Sequence, residues 1–146
     1  MTVPPAPQPY LKPLPEVTDF NRPFFDGLRN RQFVVPKCQD CGDFHWIPYP
    51  ACRTCLSGNL VWTPVSGDAM LYSFTVIHTG PGAFSSDVPY AVAMGELVEQ
   101  PRPCLVLANV VGSPPEELFV GQSLRIVYED VPGEDVTLHH WAVRRT

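Results

Sequence analysis

Four cysteines stand in two close pairs, Cys38-Gln-Asp-Cys41-Gly42 and Cys52-Arg-Thr-Cys55, with ten residues between the pairs. Two residues between cysteines let both thiolates of a pair reach one ion from a tight knuckle. Gly42 can take positive φ and free backbone amides to point at sulfur. Two knuckles supply four soft ligands, the tetrahedral set of structural zinc, and the spacer is long enough for a hairpin to bring them together. Cys38, Cys41, Cys52 and Cys55 are therefore predicted to hold one zinc ion. The alternatives are disulfide-like pairs or free buried thiols, disfavoured for such close pairs in a reducing compartment, and iron, which also binds Cys-x-x-Cys-Gly knuckles. Iron is disfavoured because the second knuckle runs Cys55-Leu56 and lacks its glycine. Four thiolates leave no open position for water, so such a site holds structure rather than hydrolysing a substrate.

The remaining chemistry-bearing residues form no constellation. The histidines are His45, His78, His139 and His140. His45, in the spacer, reads as structural or surface. His78 follows an apolar run and precedes Gly80-Pro81-Gly82, so it is a loop candidate for touching a ligand. His139 and His140 alternate faces on the last strand. Cys104 lies in Pro103-Cys104-Leu105-Val106-Leu107 and reads as a small core residue. No Gly-x-Ser-x-Gly elbow and no phosphate-cradling glycine loop occurs, so no catalytic residue is assigned.

The elements that must position these residues are mostly strands. Residues 1–16, MTVPPAPQPYLKPLPE, carry six prolines in the first 15 positions and read as an extended arm. Residues 17–31 read as a helix that Asp19 or Asn21 can cap, with Pro23 in its first turn. Phe20, Phe24 and Leu28 recur at four-residue steps, and Phe25 broadens the stripe. A helix this short needs other contacts to persist, so these four either dock on the chain's own barrel or face a partner. Residues 32–58 are the ribbon. From 59 to 146 the texture is that of an all-β domain, with strands near 60–65, 69–79, 90–98, 104–111, 123–129 and 136–143, separated by Gly- and Pro-rich breaks. Five or six such strands suit a small barrel of the oligonucleotide/oligosaccharide-binding (OB) type, or a small sandwich.

The composition is 45% hydrophobic and 17% charged, which suits a packed globular protein. The formal net charge is −5. A nucleic-acid binder needs a basic face to displace counterions from phosphates, so nucleic acid is not an expected partner. No apolar run of transmembrane length occurs and the first residues lack the pattern of a secretion signal. The expected location is cytoplasmic, with no membrane partner.

The ordered pattern resembles one family, the acyl-CoA-associated proteins that join a rubredoxin-like zinc ribbon to an OB fold. The resemblance spans about residues 18–143. It rests on Phe24-Phe25-Asp-Gly27-Leu28, the knuckle Cys38-x-x-Cys41-Gly42, and Ile47-Pro48-x-Pro50-x-Cys52-x-x-Cys55. It continues through Trp62, Leu71-Tyr72-Ser73-Phe74-Thr75-Val76 and Val88-Pro89-Tyr90-Ala91-Val92-Ala93 into Gly95-Glu96-Leu97, and ends in Val120-Gly121-Gln122-Ser123-Leu124-Arg125-Ile126. The ending Leu138-His139-His140-Trp141 departs from the usual one. The resemblance implies a small, non-catalytic subunit of a hetero-oligomer with a thiolase-fold enzyme acting on acyl-CoA: a thiolase, an acyltransferase or a steroid side-chain aldolase. It also implies a part in enclosing the CoA-linked substrate, for which His78, Phe84 and Tyr90 are the candidates. Phe20, Phe24, Phe25 and Leu28 are the candidate interface. The competing readings are a nucleic-acid-binding module and a free-standing acyl-CoA-binding protein.

Overall fold

A computed structural model describes residues 9–99 and 101–145; the first eight residues of the Pro-rich arm lie outside it. One helix, α1 (Arg22–Arg29), precedes a two-stranded antiparallel sheet of β1 (Phe33–Cys38) and β2 (Leu60–Val65). Five further strands follow: β3 (Asp68–Ile77), β4 (Tyr90–Leu97), β5 (Leu105–Val111), β6 (Ser123–Asp130) and β7 (Thr137–Val143). They close into a barrel in the order β3-β4-β5-β7-β6. β6 returns to β3 through Asp68–Arg125, Ala69–Leu124 and Met70–Ser123. The seam is a short parallel pairing of β5 with β7 at Val110–Trp141 and Val111–Ala142. The first of the six expected strands thus joins β1 rather than the barrel. Val65 is followed at once by the Gly67 turn, which reverses the chain into β3 and separates the two sheets.

Helix α1 is shorter than the 17–31 expected. Asn21 occupies its N-cap but makes no forward side-chain cap. Its Oδ1 instead accepts from the Thr18 N–H at 2.7 Å, closing a turn before the helix. Phe24 and Leu28 are buried in the main core with Phe33, Val35, Leu71, Leu97 and Trp141. Of the two readings of this stripe, Phe24 and Leu28 take the first: they dock on the chain's own β1 and β7. Phe25 is half-buried against the same core, and Phe20 remains exposed with its ring 6.4 Å from Trp62. After the helix, Arg31 grips Asp130 of β6 through two hydrogen bonds of 2.9 and 2.7 Å.

His139 of β7 sits where helix, ribbon and barrel meet. Its ring centroid lies 5.6 Å from Phe24, 5.5 Å from Phe33 and 5.7 Å from Trp46. Its Nε2 donates to the Leu107 carbonyl at 3.2 Å. Burial among these rings pushes its pKa down to about 4, against the opposing pull of the Leu107 carbonyl. The folded chain therefore holds His139 neutral, while the unfolded chain protonates it near 6.5. Stability from this group is complete above that value and is lost as pH falls through about 4. Relative to a His139→Phe variant, the wild type should lose up to roughly 2 kcal/mol between pH 7.5 and 4.5. Urea midpoints of both proteins at the two pH values measure it, since changes at the cysteine cluster are common to both. Parallel losses in the two proteins would remove His139 as the cause.

Candidate metal centre

The ribbon is built by a hairpin that folds back on β1. Cys38 ends β1, and its N–H donates to the Asp43 carbonyl at 2.8 Å while the Gly42 N–H donates to the Cys38 carbonyl at 2.9 Å. The second knuckle repeats this geometry: the Cys52 N–H donates to the Ser57 carbonyl at 2.7 Å and the Leu56 N–H to the Cys52 carbonyl at 2.9 Å. The residue after each second cysteine takes positive φ, 83° at Gly42 and 64° at Leu56. Leu56 adopts what a glycine would take without strain, at a cost of about 1–2 kcal/mol. The missing glycine therefore does not mark a different knuckle.

The four sulfurs converge. Cys38 Sγ lies 3.6 Å from Cys55 Sγ, and Cys41 Sγ lies 3.5 Å from Cys52 Sγ. All four ligand atoms fall within 4.8 Å of one another, a cluster capable of coordinating a metal ion. Zinc–sulfur bonds of about 2.3 Å in a tetrahedron place sulfurs about 3.8 Å apart, so the donor set fits. None of the four is in a disulfide.

Their electrostatics run in opposite directions. Burial opposes ionising Cys52, but the N–H groups of Cys55 and Thr54, with Cys41 and His45, hold its thiol down at about 5. The Asp43 N–H favours a thiolate at Cys41, yet burial and the neighbouring sulfurs push that thiol up to about 12. One thiolate opposes the next at these distances. A dication at the centre removes the conflict, because each thiolate then gains more from the ion than it loses to its neighbours.

The ribbon is fastened to the barrel beside this centre. The Asp43 side chain is buried, and its Oδ2 accepts from the Thr54 hydroxyl at 2.6 Å and from Arg102 Nη1 at 2.8 Å. The Thr54 hydroxyl, and then Arg102, keep its carboxyl below the usual range. Arg102 lies between β4 and β5, so this bridge ties the second knuckle to a barrel loop. His45, which reads from the sequence as structural or surface, is 8% exposed, with Nε2 3.2 Å from Cys52 Sγ. Sequence spacing could not reveal this, because the contact arises only when the spacer folds back.

The other candidates lie elsewhere. His78 is exposed just past β3. Phe84 and Tyr90 are half-buried, with ring centroids 6.4 Å apart. Lys12 of the arm lies 5.6 Å from the Phe84 ring and pairs with Asp87. The adjoining cavity, about 420 Å³, is lined by the arm and the 82–87 turn rather than by these three residues. A second groove, on the ribbon, is lined by Phe20, Pro36, Tyr49, Pro50, Leu60 and Trp62. Cys104 is buried, which pushes its thiol up to about 12, as suits a core residue. Among the described residues no helix is long and apolar enough to cross a membrane.

A four-cysteine ribbon followed by a five-stranded barrel defines a metal-ribbon protein with an appended OB domain. Residues 25–61 match the family described as "ChsH2, rubredoxin-like zinc ribbon domain" and residues 62–129 the one described as "ChsH2, C-terminal OB-fold domain". The chain belongs to this ChsH2-type, or DUF35, family. It is 33% identical over 104 residues to a "DUF35 domain-containing scaffold protein" of Methanothermobacter thermautotrophicus, covering 68% of this chain and 74% of that one. It is 31% identical over 113 residues to a "Probable enoyl-CoA hydratase alpha subunit" of Thermomonospora curvata, covering 76% of this chain but only 34% of that one. The chain thus spans about a third of that longer relative. Among solved structures, it superposes on a chain of "Ltp2-ChsH2(DUF35) aldolase" with a TM-score of 0.75 and 25% identity, covering 89% of this chain and 98% of that one.

Proposed function

We propose that this protein is a non-catalytic accessory subunit that binds and stabilises a thiolase-fold enzyme acting on acyl-CoA, with one structural zinc in its ribbon. The observation that carries this reading is the likeness to nearly the whole of a chain of the Ltp2-ChsH2(DUF35) aldolase, whose name joins a ChsH2 component to a second one. The site chemistry supports it. Among the described residues the histidine hydrogen bonds run to Cys52, one of the four clustered cysteines, to the Leu107 carbonyl and to Glu129. The ribbon carries exposed apolar side chains, Ile47, Tyr49 and Leu56, and Phe20 lies exposed just before α1, all suited to burial against an enzyme subunit. Phe20 and Phe25 are the enzyme-side contacts in this reading, and His78, Phe84 and Tyr90 the substrate-side ones.

Purified alone, the chain should turn over no acyl-CoA. Co-expressed with its thiolase-fold enzyme, it should co-purify and raise that enzyme's soluble yield and turnover at least severalfold. An enzyme equally soluble and equally active without it would defeat the proposal.

A further inference from the structure

One of the contacts that converge on Cys52 has no counterpart at the other three sulfurs. Its Sγ lies 3.4 Å from the Thr54 N–H nitrogen, 3.5 Å from the Cys55 nitrogen and 3.2 Å from His45 Nε2. The first two are backbone donors that any such knuckle provides. The third is a side chain from the opposite limb of the hairpin. A metal-bound thiolate has no proton to give, so in this contact the imidazole must be the donor, through Nε2–H. His45 is itself held rigidly. Its N–H donates to the Pro36 carbonyl at 2.9 Å, and Phe44 before it bridges to Lys37 of β1.

The residues around His45 point in three directions from one short segment. Asp43 reaches Thr54 of the second knuckle and Arg102 of the barrel. His45 reaches Cys52. Trp46 packs on His139 at the helix–barrel junction. The geometry points to His45 as the outer-shell residue of the metal centre, which we infer donates a hydrogen bond to the Cys52 thiolate and couples metal retention to the seating of the ribbon on the barrel. This rests on the reading of the four cysteines as a zinc site. The physical basis is twofold. A tetrathiolate around a dication carries excess negative charge, and an N–H aimed at one sulfur withdraws part of it. A donor fixed on β1 also prevents the second knuckle from swinging away, so release of Cys52 must break a bond outside the coordination sphere.

The test uses the full chain loaded with zinc or with cobalt(II), comparing wild type with His45→Leu and His45→Gln. Zinc affinity is read by competition with a chromophoric chelator, and the cobalt form by its sulfur-to-metal charge-transfer band. His45→Leu should lower zinc affinity by about 10- to 100-fold and shift the charge-transfer band to lower energy, as the sulfur becomes electron-richer. His45→Gln, which can still offer an N–H, should recover much of both. A purely packing role would leave the band unmoved and give no recovery with glutamine. Unchanged affinity and band in His45→Leu would overturn the assignment. So would a wild-type cobalt spectrum of three sulfurs and one nitrogen, which would make His45 a ligand. A wild-type chain that takes up neither zinc nor cobalt would instead remove the zinc reading itself.

Discussion

Chelating the metal, or replacing Cys52 by serine, should melt the segment between residues 38 and 58 and leave the barrel folded. Beyond Phe44 and Trp46, which pack on the edge of the main core, that segment buries few apolar side chains: Ile47, Tyr49 and Leu56 are all exposed. Its order comes from the two knuckles, and metal binding in such small units supplies on the order of 10 kcal/mol of folding free energy. Strand β1 behaves differently, because Phe33 and Val35 are fixed in the main core. It should survive metal loss together with α1. Zinc content in Cys52→Ser should fall from about one per chain to near zero, with amide exchange accelerated by orders of magnitude from Gln39 to Gly58 and little changed in β4 and β5. Loss of the ribbon also exposes Trp46 and the Asp43–Arg102 bridge, so solubility should drop. Wild-type metal content and wild-type exchange in the variant would end the view that this cluster organises the ribbon.

Much of this was legible in the sequence because the signals are local. Paired cysteines name their own chemistry, and the Gly- and Pro-rich breaks bound β2 through β7 to within a residue or two. What was hidden depends on contacts between distant segments. The stripe Phe24–Leu28 shows that one face of α1 is apolar but not what covers it. Strand β1 was obscured because Pro36 interrupts the apolar run Phe33-Val34-Val35, although Pro36 pairs with Trp62 and its carbonyl is used by His45. His45 and Asp43 look like ordinary loop residues until the hairpin closes. The unusual ending around Trp141 carries a large part of the core, and its partner lies 46 residues earlier, at Gly95.

That pair makes the second large effect. Gly95 lies in β4, and a methyl group there would fall inside the Trp141 indole, 2.6 Å from Cε2. Trp141 is fully buried, and its Nε1 donates to the Val106 carbonyl at 3.1 Å, directly across from Gly95 in the β4–β5 ladder. The ring thus lies on bare backbone and is pinned at its polar end, so it cannot slide away without losing a buried hydrogen bond. Gly95→Ala should therefore destabilise the barrel by about 3 kcal/mol, at the upper end of the cost of overpacking. In a chain of this size that lowers the melting temperature by about 10 °C. The cause is a clash rather than a lost strand preference, since alanine is no worse than glycine in a strand. A Gly95→Ala/Trp141→Phe double variant should consequently be less destabilised than the sum of the two single changes, because the smaller ring vacates the space the methyl needs. Additive losses would show that the two residues do not share that space.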